Sequence, residues 1–303
     1  MTITSLQPRS LEEIPTNKSS RENPWVIFRR HAVVWTLIFI VLLPVYFIVV
    51  SAASGSDDIV AAIVPQEWSL SNFEKLFTRD DILYGTWVRN TLIIGSASAA
   101  LNVLIGGFGA YAFSRLRFRG RRATLMTLLM IQVFPSFLAL AAIYYIMNKV
   151  TDYAPTIGIG TPWSLVLVYS GGALGINAWL IKGFFDTLPR ELDESAMIDG
   201  ASHAQIFFRI VLPLALPSLA VVFILSVIGS LNDFILAGIL LGAEPNSWTL
   251  AVGLFGFIND NAFNQKWGVF TAGALLAAIP VVIIFMLLQK YIVTGLTAGS
   301  VKG

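Results

Sequence analysis

TLIIGSASAALNVLIGGFGAYAF, residues 91–113, runs from end to end without a charged side chain. An α-helix needs about 20 predominantly apolar residues to cross the hydrocarbon core of a bilayer. Five further stretches meet that criterion: 33–50, 123–147, 162–181, 210–232 and 267–289. Composition agrees, with 56% hydrophobic and 13% charged residues, where soluble domains carry about 25% charged. The reading is an all-α, polytopic membrane protein with about six transmembrane helices. A shorter apolar stretch, 234–243, cannot span alone and reads as an extension of the fifth helix.

Pro44, Pro135, Pro213, Pro217 and Pro280 lie inside these runs. Each removes a backbone donor and would cost roughly 3 kcal/mol in a soluble helix interior. Membrane helices tolerate proline where neighbours satisfy the freed carbonyls, so kinked helices are expected, read as static bends. Ser51, Ala52 and Ala53 have the small side chains of a signal-peptide cleavage site. The apolar run before them exceeds the usual h-region of about 7–15 residues, so the first span is expected to be retained.

Charge placement orients the bundle, because short loops rich in Lys and Arg stay in the cytoplasm. The head carries Arg9, Lys18, Arg21, Arg29 and Arg30. The loop 114–122 carries Arg115, Arg117, Arg119, Arg121 and Arg122 without an acid. The loop 51–90 is acid-rich, and 148–161 and 241–266 each hold one lysine with acids. These three fit outside, and both termini then lie in the cytoplasm. The arginine-rich loop reads as a topogenic, lipid-facing cluster rather than a nucleic-acid surface. Trp25, Trp35, Trp87 and Trp267 suit interfacial belts. Gly171 and Gly175 have the spacing that allows close helix contact.

Several chemistries are excluded. There is no cysteine, and the two histidines, His31 and His203, lie far apart, so disulfides, thiol nucleophiles and a zinc site are not expected. No cofactor is implied, and no Walker A pattern offers an ATP site. Asn102, Gln132, Asn177, Asn232 and Asp233 are the polar residues within the spans. Gln132 and Asn177 are the midplane candidates for a substrate pathway, or form interhelical hydrogen bonds. Asp233 is placed near the outer surface.

The segment 182–209, KGFFDTLPRELDESAMIDGASHAQIFFR, is long for a cytoplasmic loop. Pro189 suits a helix start, and Glu191, Asp193 and Glu194 follow where acids complement the helix dipole. Asp199 and Gly200 signal a turn. Ser202 with Gln205 forms a capping box for a second helix leading into span five. Two readings stay open on these grounds: a device that passes force from a soluble partner to a membrane helix, and an interfacial hairpin that caps the bundle. Acids outnumber bases, which disfavours a DNA-binding helix-turn-helix.

Glu194, Ser195, Ala196, Gly200, Ile210, Leu212 and Pro213 resemble the EAA motif of bacterial ABC-importer permeases, E-A-A-x-x-x-G-x9-I-x-L-P, with Ser195 replacing an alanine. AYAFSRLRFRG, MIQVFPSFLALAAIY, WLIKGFFDTLP and the tail GLTAGSVKG are similar to the shorter permease of maltose/maltodextrin importers. The resemblance implies a permease subunit that lines a sugar pathway with a second, homologous permease. It implies a dimer of ATPase subunits docked beneath and an extracytoplasmic sugar-binding protein above, facing about 243–266. The EAA-type loop, 182–213, would couple to the ATPase, and the tail, through Thr297, Gly299 and Lys302, would contact it. Gln132, Asn177 and Asp233 remain the pathway candidates. The chain then divides into a cytoplasmic N-terminal segment (1–32), a first span with its outer loop (33–90), a permease core (91–290) and a cytoplasmic tail (291–303). A secondary sugar transporter needs coupling acids or histidines near the midplane and matched broken helices. A membrane enzyme needs a catalytic constellation at one depth. Neither signal is present.

Overall fold

The computed structural model describes residues 24–57, 63–65, 67–133, 136–259 and 266–298. The chain divides into two compact units between Tyr46 and Phe47. Helix α1 (Pro24–Ala52) keeps Pro44 inside it without a break. Its residues up to Tyr46 are exposed, with Trp25 72% and Phe39 69% accessible, and beyond the polar Arg29, Arg30 and His31 they are apolar on nearly every face. A helix apolar on every face suits a lipid environment.

The second unit is organised around α3 (Tyr84–Arg115), preceded by the short α2 (Ser71–Thr78). At 32 residues, α3 outlasts a bilayer core. Its buried stripe includes Gly95, Gly106 and Gly107, small residues that let neighbouring backbones approach. Three spans are bent pairs. Helices α4 (Arg121–Val133) and α5 (Leu140–Tyr153) flank an 83° bend. Helices α6 (Pro162–Ser170) and α7 (Ala178–Phe185) meet at 43°. After α8 (Glu191–Ile198) and α9 (His203–Ile206), a π turn leads through α10 (Leu212–Leu214) to α11 (Leu216–Asn232), with a 77° break. Helices α12 (Ile235–Leu241) and α13 (Leu250–Gly256) follow, and α14 (Trp267–Ala298) closes the described chain. Counting each bent pair once gives six candidate spans.

Proline accounts for only part of the bending. Pro217 occupies the first turn of α11, where its missing N–H and fixed φ are tolerated, while a helix continuing back through Ala215 would need that donor. Pro280 sits within unbroken α14. The α6–α7 break has no proline: Gly175 leaves helical geometry at φ −91°, ψ −112°.

Three sequence expectations change. The run 210–232 is not one continuous helix: the chain turns by 77° at Ala215 and α11 begins at Leu216. Residues 234–243 do not extend it: Asp233 adopts extended backbone and α12 starts afresh. Trp87 is no interfacial anchor. It is 2% exposed, donates its indole N–H to the Pro245 carbonyl at 2.9 Å, and packs against Trp248 and Phe257.

Loops assigned to one side by charge are tied to one another. At the Tyr84 end of α3, Asn90 Nδ2 donates to the Asn246 and Trp248 carbonyls, and Thr91 Oγ1 accepts from the Leu250 N–H. At the Arg115 end lies an apolar cluster of Ala110, Tyr111, Ile181, Phe185, Ile206 and Phe207, continued by Val211, Ala215, Leu219 and Val222. The loop between spans four and five sits on that cluster.

Candidate functional site

The loop folds as a helix, a tight turn and a second helix, as its sequence predicts. Acids Glu191, Asp193 and Glu194 occupy the first turn of α8, facing the positive end of its dipole. Gly200 has φ +83°. The Ala201 N–H returns to the Ala196 carbonyl at 2.9 Å and the Gly200 N–H to Met197 at 3.1 Å. This is a Schellman motif with glycine at the left-handed position. Its apolar partners, Ala196 and Ala201, both pack on the cluster below. Ser202 then caps α9: its Oγ accepts from the Gln205 N–H, and Gln205 Oε1 accepts from the Ser202 N–H at 2.8 Å.

The motif residues separate into two roles. Glu194 and Ser195 are exposed. Ile198, 87% exposed, shares their face at four- and three-residue spacings, while Leu192 and Met197, 41% and 45% exposed, flank the packed side. Ala196 and Leu212 are packed inward. Ile210 is half-buried and Pro213 exposed, both before the break at Ala215.

A polar layer missed in the sequence fastens this loop to α3. Ser114 Oγ donates to Asp186 Oδ1 at 2.6 Å. Arg115 Nη2 donates to the Leu188 carbonyl at 3.0 Å, and its Nε lies 2.7 Å from Asp193 Oδ2. The side chains of Arg115 and Asp193 are 6% and 10% exposed. Their Nε–Oδ2 contact is a charge contact without hydrogen-bond alignment, and Asp193 Oδ1 has no protein partner. Arg115 is therefore not lipid-facing; Arg117 is exposed. Burial pushes the Asp186 carboxyl up, but hydrogen bonds from Lys182 and Ser114 outweigh it and hold the group below the usual carboxylate range. The one sequence signal was a basic span end facing an acidic loop on the same side. Which acid meets which base depends on packing.

Within the membrane, Gln132 bridges the α6–α7 break. Its Nε2 donates to the Gly172 carbonyl at 3.1 Å and its Oε1 accepts from the Ile176 N–H at 2.8 Å. A Cβ at Gly175 would collide with this amide, whereas one at Gly171 would meet only the Val168 carbonyl, so Gly175 alone of the pair makes room for this side chain. Asn177 lies at the same break, half-buried, with no side-chain hydrogen bond among the described residues. Asp233 is apart from them, accepting from Tyr169 Oη and the Leu236 N–H, each at 3.0 Å. Asn102 is buried with an unpartnered Oδ1. Asn232 borders an apolar cavity of 680 Å³ between α11, α13 and α14. Thr297 belongs to α14, which continues through residues 291–298, so the expected tail begins as helix. Gly299 and Lys302 lie outside the described residues. No metal-binding group of His, Cys, Asp or Glu occurs among the described residues.

Bent membrane spans around a central helix, with a folded helix-turn-helix loop exposed at one end, define a helical membrane permease. Residues 102–297 match the family described as binding-protein-dependent transport system inner membrane component, and the chain belongs to that family. It is an inner-membrane transport component rather than an enzyme. It is 42% identical over 251 residues to the galactooligosaccharides transport system permease protein GanQ of Bacillus subtilis, covering 82% of this chain and 86% of GanQ. It is 41% identical over 276 residues to the maltodextrin transport system permease protein MdxG of the same organism, covering 88% and 95%. A bacterial ABC transporter that imports the acidic polysaccharide alginate shares the fold, with a TM-score of 0.74, 22% identity, and coverage of 90% of this chain and 98% of that one.

Proposed function

We propose that this permease carries an oligosaccharide, with maltodextrins the leading substrate, and that α8, the Gly200 turn and α9 form its coupling element. The relatives' sugar specificities support the substrate class, and GanQ at 42% identity makes galacto-oligosaccharides the second candidate. The observation that carries the coupling assignment is the exposed face of α8, where Glu191, Glu194, Ser195 and the 87% exposed Ile198 align at helical spacing. The packed Asp193 and Ala196 on the opposite side of the helix hold this face outward, and the motif spacing matches the ATPase-docking loop of ABC importers. In this reading Glu194 and Ser195 meet the ATPase. Ala196 and Gly200 shape the turn. Ile210, Leu212 and Pro213 carry its displacement toward α11. A second permease completes the pathway, and an extracytoplasmic sugar-binding protein delivers the substrate near 243–266. The segments 1–32 and 291–303 are cytoplasmic, flanking the first-span region (33–90) and the core (91–290), and the tail from Thr297 through Gly299 and Lys302 reaches the ATPase. Asn177 is the pathway candidate with a free side chain, whereas Gln132 and Asp233 are committed to structure.

Reconstitution with the partner permease, an ATPase dimer and the binding protein tests this. Maltodextrin should stimulate ATP hydrolysis and enter the vesicle, and Gly200→Pro should abolish coupling. Stimulation by galacto-oligosaccharides alone would transfer the substrate assignment. Uptake driven by a proton gradient without the ATPase would replace the reading with a secondary transporter.

A further inference from the structure

We propose that the cytoplasmic end of α3, through Tyr111, Ser114 and Arg115, is a positioning clamp that moves as one body with the coupling loop, delivering displacement of α8 directly to span two. This rests on α8 being the coupling helix. The covalent chain ties the loop only to α7 and, through α10, to α11, so transmission to α3 requires a noncovalent joint.

Residues 111, 114 and 115 share one face of α3, at the three- and four-residue spacings that stack on a helix surface. Each holds a different part of the loop. Ser114 holds Asp186 at its beginning, and Arg115 holds the Leu188 carbonyl and Asp193 in its middle. Tyr111 Oη lies 3.4 Å from His203 Nδ1 at the start of α9 and its ring packs on Phe207. These contacts bridge sequence separations of 72, 73 and 92 residues, so they fix tertiary placement rather than local structure.

The central element is buried. A guanidinium and a carboxylate only 6% and 10% exposed cannot part without leaving two charges in a medium of low dielectric. A surface pair separates at little cost, since water and salt screen it. The Arg115–Asp193 joint is therefore stiff toward the displacements a docked partner would impose. It also gives a role to the AYAFSR stretch, which contains Tyr111, Ser114 and Arg115.

The test uses the complete complex in liposomes. In Arg115→Ala and Asp193→Ala, sugar carried per ATP hydrolysed should fall at least about ten-fold with the ATPase still bound. Asp193→Glu should recover most of it, which a general folding defect would not. An unchanged ratio in both alanine variants overturns the clamp. A second measurement stands independently of whether those variants assemble. The chain has no cysteine, so spin labels at Arg117→Cys and Glu191→Cys are unique within it. Their separation should stay constant between resting and ATP-bound complexes. A change approaching one helical turn, about 5 Å, overturns the proposal whatever the alanine variants do. Gly200→Pro separates the two readings. If it uncouples transport while the alanine variants do not, the clamp fails and the coupling loop stands. If neither uncouples, the coupling loop itself is wrong.

Discussion

At Gly175 and Gln132 a missing side chain and a present one complete each other. The α6–α7 break leaves the Ile176 N–H to Gln132 Oε1, and Gln132 Nε2 adds a second bond to the Gly172 carbonyl, which also accepts from the Gly175 N–H at 3.3 Å. Inside a membrane no water substitutes readily for such a partner. Gln132→Leu should therefore destabilise the detergent-solubilised protein by about 1–2 kcal/mol, the scale of two modest interhelical hydrogen bonds. Gly175→Ala should cost at least as much, since its Cβ displaces the same amide, and the double variant should fall well short of the sum. Thermal unfolding of the three variants checks this. Asp186 provides a test in pH. Its carboxyl is held below the usual range in the folded chain, so its contribution is complete above the unfolded value of about 3.9 and is lost as pH falls through the folded value. The stability difference between wild type and Asp186→Asn should be flat from neutral pH down to about 5 and shrink below about 4. A difference that instead grew on acidification would contradict the pairing with Lys182 and Ser114.

Among the elements, α9 is the most dependent on its cap. It has four residues before the π turn, too few for a helix to persist on propensity alone. Both arms of its capping box are formed. Ser202→Ala should cost about 1 kcal/mol and speed amide exchange at Gln205 selectively, which hydrogen-exchange mass spectrometry resolves at peptide level. Uniform protection across 202–211 in the variant would show that packing of Ile206 and Phe207, not the cap, holds the helix. Charge in the first turn of α8 and the Gly200 turn were legible because caps and turns are local chemistry. The break at Ala215 was not: the uncharged run 210–232 reads as one span. Pro213 and Pro217 signal a bend without giving its 77° size.

For the molecule as a whole, the proposed orientation rests on where arginines and acids fall, and the absence of cysteine makes it directly measurable. In right-side-out vesicles an impermeant maleimide should label Glu244→Cys and leave Arg119→Cys untouched, with the reverse in inverted vesicles. Labelling of both from one side would break the topology. The sequence by itself determined the helical membrane class, the apolar runs that make up to six candidate spans, and the loop's helix-turn-helix form. These depend on apolar length, charge placement and capping, which neighbouring residues fix among themselves. Only the tertiary structure decided that Trp87 is core, that Gln132 closes a broken helix, and that Arg115 meets Asp193. Each of these depends on which surfaces lie within a few ångströms after packing, and residues separated by tens of positions carry no local record of it. The opening stretch, 91–113, reads as a plain span; folded, its last turn and the Ser114 and Arg115 that follow are where the bundle grips its informative loop.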